Sequence, residues 1–190
     1  SGHPNPGFYP LLDQFSTRWT QAPLPVIVHL LASPPGEIQA CVERLEMVEN
    51  VTAVEIGFPQ NIDQQEAAEI VSAAQGEMPV IVRLPMTRSV ALAPALEAAG
   101  AAAVSLGAPR GSLPIGEHLM HGRMYGPGIY PLALQIVCEL HSIGVTVIAA
   151  GGVYQPRQIA ELRQAGAMAV QVDLALWRGD WLELEEERVP

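Results

Sequence analysis

The stretch that decides the fold is VTVIAAGGVYQPRQIAELRQAGAMAVQVDLALW, residues 145–177. A short apolar run rich in β-branched residues ends at Gly151-Gly152, which predicts a strand followed by a tight turn. Pro156 is typical of a first helical turn and Gly166 of a helix end, so a helix is expected between them. A second apolar run over 168–174 predicts another strand. Both strands are apolar on two faces, which is typical of a parallel sheet covered by helices.

The same alternation extends back through the chain. Apolar runs predict six strands that are adjacent in chain order, over residues 26–30, 54–58, 80–84, 103–106, 147–150 and 170–172, with helices between most of them. Residues 107–128 are predicted to form a long loop. This pattern predicts a single α/β domain over 1–190 with parallel strands and right-handed crossovers. A doubly wound sheet and a TIM-barrel-like, incomplete barrel of about six β/α units both fit it.

Composition excludes several classes of function. The chain has 190 residues, of which 49% are hydrophobic, and its net charge is −10 with no lysine. This charge argues against nucleic-acid and anionic-membrane partners. The absence of lysine excludes a Schiff-base lysine and a P-loop lysine. No apolar run approaches the roughly 18 residues of a membrane helix, and the polar start shows no signal peptide, so a cytoplasmic location is expected.

Cysteine and histidine usage gives two further expectations. Cys41 and Cys138 both lie in apolar helical patterns, which predicts two buried free thiols in a reducing compartment. The five histidines show no metal-ligand spacing, because His118 and His121 have no cysteine or carboxylate signature beside them. No metal site is expected.

Candidate binding residues lie at the carboxyl ends of the strands, where parallel α/β folds bind ligands. Gly151 and Gly152 expose backbone N–H groups that could bind a phosphate, or they form only a turn. Arg83 either faces the anionic group of a ligand or pairs with Glu55 on the neighbouring strand. His29 is expected to be a hydrogen-bonded core histidine rather than a catalytic one.

Several segments, taken in order, resemble the dihydroorotate dehydrogenase family of FMN-dependent (β/α)8 barrels. The resemblance is carried by GHPNPGF, PVIVH, AVEIGFPQ, PVIVRLP, YGPGIYPLAL, AGGV and AGAMAVQV, at residues 2–8, 25–29, 53–60, 79–85, 125–134, 150–153 and 165–172. It covers nearly the whole chain. It implies an ancestral oxidoreductase that transfers hydride to FMN while the protein removes a proton.

The resemblance also implies roles for particular residues. Arg83, Gly126, Gly151 and Gly152 match segments that contact the cofactor in the family. Asn5 matches a segment that contacts the substrate. Arg83 stands where the family has a lysine, and it keeps the charge without the same geometry.

The departures from the family concern the chemistry. The first two strands of the family's barrel have no counterpart in this sequence. Where the family has its active-site motif, Gly57-Phe58-Pro59 offers no Cys or Ser as a base, and Phe58 cannot transfer a proton. Asp173-Leu174 replaces the Gly-Thr that holds the FMN phosphate, which places FMN binding in doubt because a carboxylate repels a phosphate. No catalytic residue is therefore assigned, and no dihydroorotate oxidation is expected.

Two other functions stay open beside the degenerate oxidoreductase. One is a non-catalytic binding or assembly module, and the other is a different phosphate-ligand-binding barrel enzyme. A barrel without two strands has open edges at 25–31 and 168–174, which proteins rarely leave bare. A homo-oligomer, or a second chain that completes the barrel, is therefore expected.

Overall fold

The structure is a computed structural model that describes residues 6–177. Helices and strands alternate along most of this range, and six of the strands carry the β/α repeat, which confirms an incomplete, TIM-barrel-like α/β fold. The helices are α1 (Phe8–Thr20), α2 (Pro35–Leu45), α3 (Gln64–Ala73), α4 (Ser89–Ala98), α5 (Tyr130–Ser142), α6 (Pro156–Gln164) and α7 (Leu174–Trp177). The strands are β1 (Val26–Leu31), β2 (Val51–Gly57), β3 (Val80–Pro85), β4 (Ala103–Gly107), β5 (Arg110–Ile115), β6 (His118–Arg123), β7 (Val147–Ala150) and β8 (Ala169–Gln171).

The chain divides into two compact units, one up to Arg83 together with 95–102, the other 84–94 together with the residues from Ala103 onward. In the first unit β1, β2 and β3 are parallel neighbours in chain order, as predicted. One face of this sheet is fully apolar, and the helices α2 and α3 bury their own apolar stripes. The buried residues are Val28, Leu30, Val54, Ile56, Val80 and Val82 on the strands and Ile38, Val42, Leu45, Ala67, Ile70 and Val71 on the helices.

Local signals fix the helix starts of the first unit. The Asp63 side chain accepts hydrogen bonds from the backbone N–H groups of Gln65 and Glu66, so it caps the start of α3. Helix α2 begins at Pro35, where the missing N–H costs no helical hydrogen bond. Each helix therefore starts directly after the loop that leaves the preceding strand.

In the second unit β4, β7 and β8 are parallel neighbours, with Val104 opposite Val147 and Ile148 opposite Ala169. Helix α5 packs on β7 and α6 packs on β8. At the start of helix α6 the side-chain oxygen of Gln158 accepts hydrogen bonds from the backbone N–H groups of Tyr154 and Gln155. This is the strand–helix–strand unit that residues 145–177 predict, but its second strand is shorter than the predicted 168–174, because α7 begins at Leu174.

The prediction of a loop throughout 107–128 was wrong. Strands β5 and β6 form an antiparallel hairpin in which Ile115 lies opposite His118. Gly116 has a φ of 61° in the two-residue turn, a conformation that glycine adopts without strain. The sequence hides this hairpin because Pro114 interrupts a segment poor in β-branched residues, whereas cross-strand contacts stabilise it, including Ser112 Oγ to His121 Nδ1 at 2.6 Å.

The predicted burial of both cysteines was also wrong. Both thiols are free, as expected, but Cys41 is only half-buried and Cys138 is exposed. Cys138 lies on α5 directly after Val137, and only one side of that helix packs inward. None of the helices within 6–177 is long and apolar enough to cross a lipid bilayer.

Candidate functional site

Strands β1, β2 and β3 bring three polar side chains to one face of the first unit. His29 lies opposite Glu55 in the β1–β2 register, and Gly57 lies opposite Arg83 in the β2–β3 register. Because side chains alternate between the faces of a strand, residues 29, 55 and 83 share the face opposite the helices. The fold therefore builds a polar cluster near the carboxyl ends of three adjacent strands.

A single carboxylate oxygen organises this cluster. Oε2 of Glu55 lies 2.7 Å from Nδ1 of His29 and 3.5 Å from a guanidinium nitrogen of Arg83. The Glu55 side chain is only 6% exposed, against 39% for His29 and 29% for Arg83. A buried carboxylate is costly without partners, and these two more exposed groups supply them.

The position of Arg83 shows that one of the two roles left open by the sequence, the ion pair with Glu55, is present. Its guanidinium pairs with Glu55 across the sheet, so the barrel-interior ion pair is present. The 3.5 Å separation is long for a charge-assisted hydrogen bond, which indicates charge attraction more than a tight directional bond. A contact between Arg83 and a cofactor stays a prediction.

His29 was only partly understood from the sequence. It is hydrogen-bonded, as expected, but it is not a core residue, because it shares the exposed face of β1 with Ile27 and Leu31. Its Cε1–Nε2 edge lies over Gly57, where an added β-carbon would come within 2.7 Å of Nε2. The alternation of Ile27, His29 and Leu31 was the available signal, but the pairing with Glu55 depends on strand register.

The segment after β2 offers no side chain that titrates near neutral pH. Gly57 has no side chain, Phe58 is buried, and Pro59 and Gln60 follow. The backbone N–H of Phe58 donates to the carbonyl of Arg83 at 3.1 Å, which holds this segment against the end of β3. The aromatic residue is therefore fixed in the core rather than presented to a ligand.

In the second unit, Gly151 and Gly152 form the turn after β7 with φ values of 111° and 72°. A β-carbon on Gly152 would lie 2.8 Å from Cα of Tyr130, and one on Gly151 would lie 2.7 Å from Cε of Met86. Close packing, of Gly152 against the start of α5 and of Gly151 against Met86, is thus a sufficient reason for both glycines. A phosphate-binding role for them stays a prediction.

The other sequence-predicted positions differ in their surroundings. Gly126 has a φ of 133° and precedes a single 3₁₀ turn, Pro127–Ile129, and a β-carbon added to Gly126 would meet no atom within 4 Å. Asn5 lies outside the described residues. Within 6–177 no group of three or more His, Cys, Asp or Glu side chains could hold a metal ion.

The residues after β8 place a carboxylate where the family resemblance expects a phosphate-binding Gly-Thr. Ala150 lies opposite Gln171 in the β7–β8 pairing. Gly152 is two residues after Ala150, and Asp173 is two residues after Gln171. Asp173 and Leu174 are not buried, and α7 begins at Leu174. A phosphate beside the Asp173 carboxylate would meet like charge, which disfavours its binding.

Comparison with known proteins places this geometry in context. No profile of a known protein family matches the sequence. Dihydroorotate dehydrogenase A (fumarate) of Lacticaseibacillus paracasei is 31% identical over 92% of this chain and 68% of its own length. The catalytic subunit of dihydroorotate dehydrogenase B (NAD(+)) of Pyrococcus horikoshii is 29% identical over 93% of this chain and 64% of its own.

A solved structure shows the same fold. The dihydroorotate dehydrogenase of Eimeria tenella, crystallised with ferulenol, superposes with a TM-score of 0.66 over 90% of this chain and 59% of that chain, at 15% identity. The chain spans about two thirds of the length of the curated relatives it matches. Because the Lacticaseibacillus paracasei relative is 31% identical and is matched over 68% of its own length, the chain belongs to the dihydroorotate dehydrogenase family.

Proposed function

We propose that this chain is a dihydroorotate dehydrogenase-like barrel that does not itself oxidise dihydroorotate. The observation that carries the proposal is the segment Gly57-Phe58-Pro59 after β2, where the family resemblance locates the catalytic base. Phe58 is buried and its backbone is bonded to Arg83, so no acid–base side chain stands in this segment. General base catalysis typically contributes about 10²–10⁴-fold, and this contribution would be lost.

The surroundings of the cofactor positions support the same proposal. Family membership makes FMN the cofactor to consider, but Asp173 follows β8 where the resemblance expects a phosphate-binding Gly-Thr. The charge of Arg83 is partly neutralised by Glu55. We therefore propose that FMN binds this chain weakly, because its phosphate would lie beside the Asp173 carboxylate.

A direct assay tests the oxidation proposal. The purified protein, with FMN added in excess, is mixed with dihydroorotate and a redox dye, and the Lacticaseibacillus paracasei relative serves as the positive control. We expect dye reduction no faster than FMN alone, and no flavin absorbance retained after desalting. Enzyme-like dye reduction would contradict the loss of oxidation, whereas retained flavin without dye reduction would contradict only the weak binding of FMN.

A binding or assembly module is the second candidate, and one observation favours it. Within the first unit, strand β1 pairs with β2 along one of its two edges. One face of β1 carries the exposed side chains of Ile27 and Leu31. Strand β8 likewise has one neighbour within the second unit. Bare edges beside apolar residues favour pairing with a second copy or another chain. Light scattering at micromolar concentration tests this, and a clean monomer with both edges protected from amide exchange would contradict it.

The cellular compartment also stays a proposal. Cys41 and Cys138 are both free thiols, which supports a reducing compartment such as the cytoplasm. Localisation of a tagged full-length protein in cells would test it, and secretion of that protein would contradict it.

A further inference from the structure

A groove on the first unit lies between helix α1 and the end of helix α2, and the proposed function does not use it. Its volume is about 460 Å³, within the range of about 300–1,000 Å³ that small-molecule sites occupy. Helix α1 lines one wall with mostly polar side chains, and the segment from Arg44 to Val48 lines the other. The groove opens to solvent, so a small molecule can enter it directly.

One side chain fixes the two walls of this groove relative to each other. Asn50 lies just before β2 and has a φ of 70°, a left-handed conformation that asparagine adopts more readily than most residues. Its side-chain amide donates to the backbone carbonyls of Trp19, Ala22 and Leu24, at distances of 2.9, 3.2 and 3.0 Å. The end of α1 is therefore tied to the segment that follows α2, which preorganises the groove for a ligand.

Two opposite charges line the groove without pairing with each other. Asp13 lies on α1 and Arg44 lies in the last turn of α2, and both residues are exposed. Within residues 6–177 neither side chain makes an ion pair or a hydrogen bond. Of the described residues that line the groove, only these two are charged. A ligand that carries both an ammonium group and a carboxylate can bind the two at once.

The remaining lining residues supply hydroxyl groups and apolar surface. Thr17 and Thr20 follow Asp13 by four and seven residues, so their side chains share its face of α1. A hydroxyl group accepts from an ammonium group and donates to a carboxylate. On the opposite wall Met47 is 83% exposed beside Val48, and its flexible thioether side chain adapts to apolar groups of different shapes. The groove therefore suits a zwitterion that also has an apolar portion.

We propose that this groove binds a free α-amino acid with an apolar side chain, such as leucine. The planar guanidinium of Arg44 matches a carboxylate and can donate two parallel hydrogen bonds to it. The Asp13 carboxylate accepts from the ammonium group of the ligand. The apolar side chain of the ligand packs on Met47 and removes that surface from water. Because ion pairs between exposed groups contribute little, the Kd is expected in the millimolar range.

The test uses leucine as the probe and the methyl group of Met47 as the reporter. In ¹H–¹³C spectra of protein labelled at the methionine methyl groups, the signal that disappears in Met47→Leu should shift saturably as leucine is added. Two analogues should each bind at least about threefold more weakly: 4-methylpentanoate, which lacks only the ammonium group, and 3-methylbutylamine, which lacks only the carboxylate. Absence of a saturable shift, or equal affinity for leucine and either analogue, would overturn the proposal.

Substitutions separate binding in the groove from a general effect of charge. Arg44→Gln and Asp13→Asn should each raise the Kd for leucine at least about threefold. Arg163→Gln is the matched control and should leave the Kd unchanged, because Arg163 is also an exposed arginine in the last turn of a helix, α6. Far-UV circular dichroism checks that the variants keep the fold. An unchanged Kd in Arg44→Gln, or an equal rise in Arg163→Gln, would contradict the proposal. Because the experiment contains neither flavin nor dihydroorotate, its failure is distinct from failure of the proposed function.

Discussion

Nδ1 of His29 and Oε2 of Glu55 lie 2.7 Å apart across two adjacent parallel strands. The contact follows from register, since the two residues are direct partners in the β1–β2 pairing. It joins a part-exposed imidazole to a buried carboxylate on the same face of the sheet. Arg83 approaches the same oxygen from β3, so one acidic residue links all three strands of the first unit.

Substitution of Arg83 and substitution of Glu55 should lower the free energy of unfolding by unequal amounts. Arg83→Met leaves the buried Glu55 carboxylate with less compensation, so we expect it to lower the free energy of unfolding by about 1–3 kcal/mol. Glu55→Gln leaves Arg83 and His29 part-exposed, so water can solvate both side chains, and a loss of about 1 kcal/mol or less is expected. Urea denaturation of both variants checks this. A larger loss for Glu55→Gln than for Arg83→Met would contradict it.

Gly152 should be far less tolerant of substitution than Gly128. Gly152→Ala forces a positive φ on alanine and brings its β-carbon 2.8 Å from Cα of Tyr130, so we expect a loss of about 2–4 kcal/mol in unfolding free energy. Gly128→Ala is the matched control, because no atom lies within 4 Å of its β-carbon position. Thermal denaturation of the two variants measures the difference, and equal midpoints would show that the turn after β7 is not closely packed.

The two thiols should differ in their rates of alkylation. Burial, and secondarily the charge of Glu37, raises the pKa of Cys41, so less of it is thiolate near neutral pH. Cys138 is exposed on α5. We expect iodoacetamide at pH 8 to modify Cys138 well before Cys41, as followed by peptide mass spectrometry. Glu37→Gln should accelerate modification of Cys41 modestly, whereas faster labelling of Cys41 in the native protein would contradict the prediction.

Tyr130 should ionise unusually late. Burial, together with a hydrogen bond to Glu161 and the charge of that residue, raises the pKa of Tyr130 to about 12. Because the neutral phenol is favoured in the folded state, its stabilising contribution is present below the ordinary tyrosine pKa and is lost as the pH rises through about 12. The difference in phenolate absorbance between the wild type and Tyr130→Phe should therefore have its midpoint near pH 12. Glu161→Gln should lower this midpoint only in part, because burial is the larger cause.

The sequence by itself determined the β/α alternation and the kind of barrel. Apolar runs and Gly or Pro residues at helix ends are local signals, and the strand–helix–strand unit over 145–177 forms where they indicate. The pairing of Arg83 with Glu55 was one of two roles that the sequence left open for Arg83. Family membership followed from motifs that keep their order along the chain.

Only the tertiary structure decided the features that depend on partners distant in sequence. The β5–β6 hairpin forms because cross-strand contacts compensate for a poor strand pattern around Pro114. Cys138 is exposed because packing covers one side of α5, and periodicity alone did not place it on the other. His29 lies over Gly57 and against Glu55 only because strand register brings these residues together. Local patterns specify elements, whereas strand register and packing specify which side chains meet.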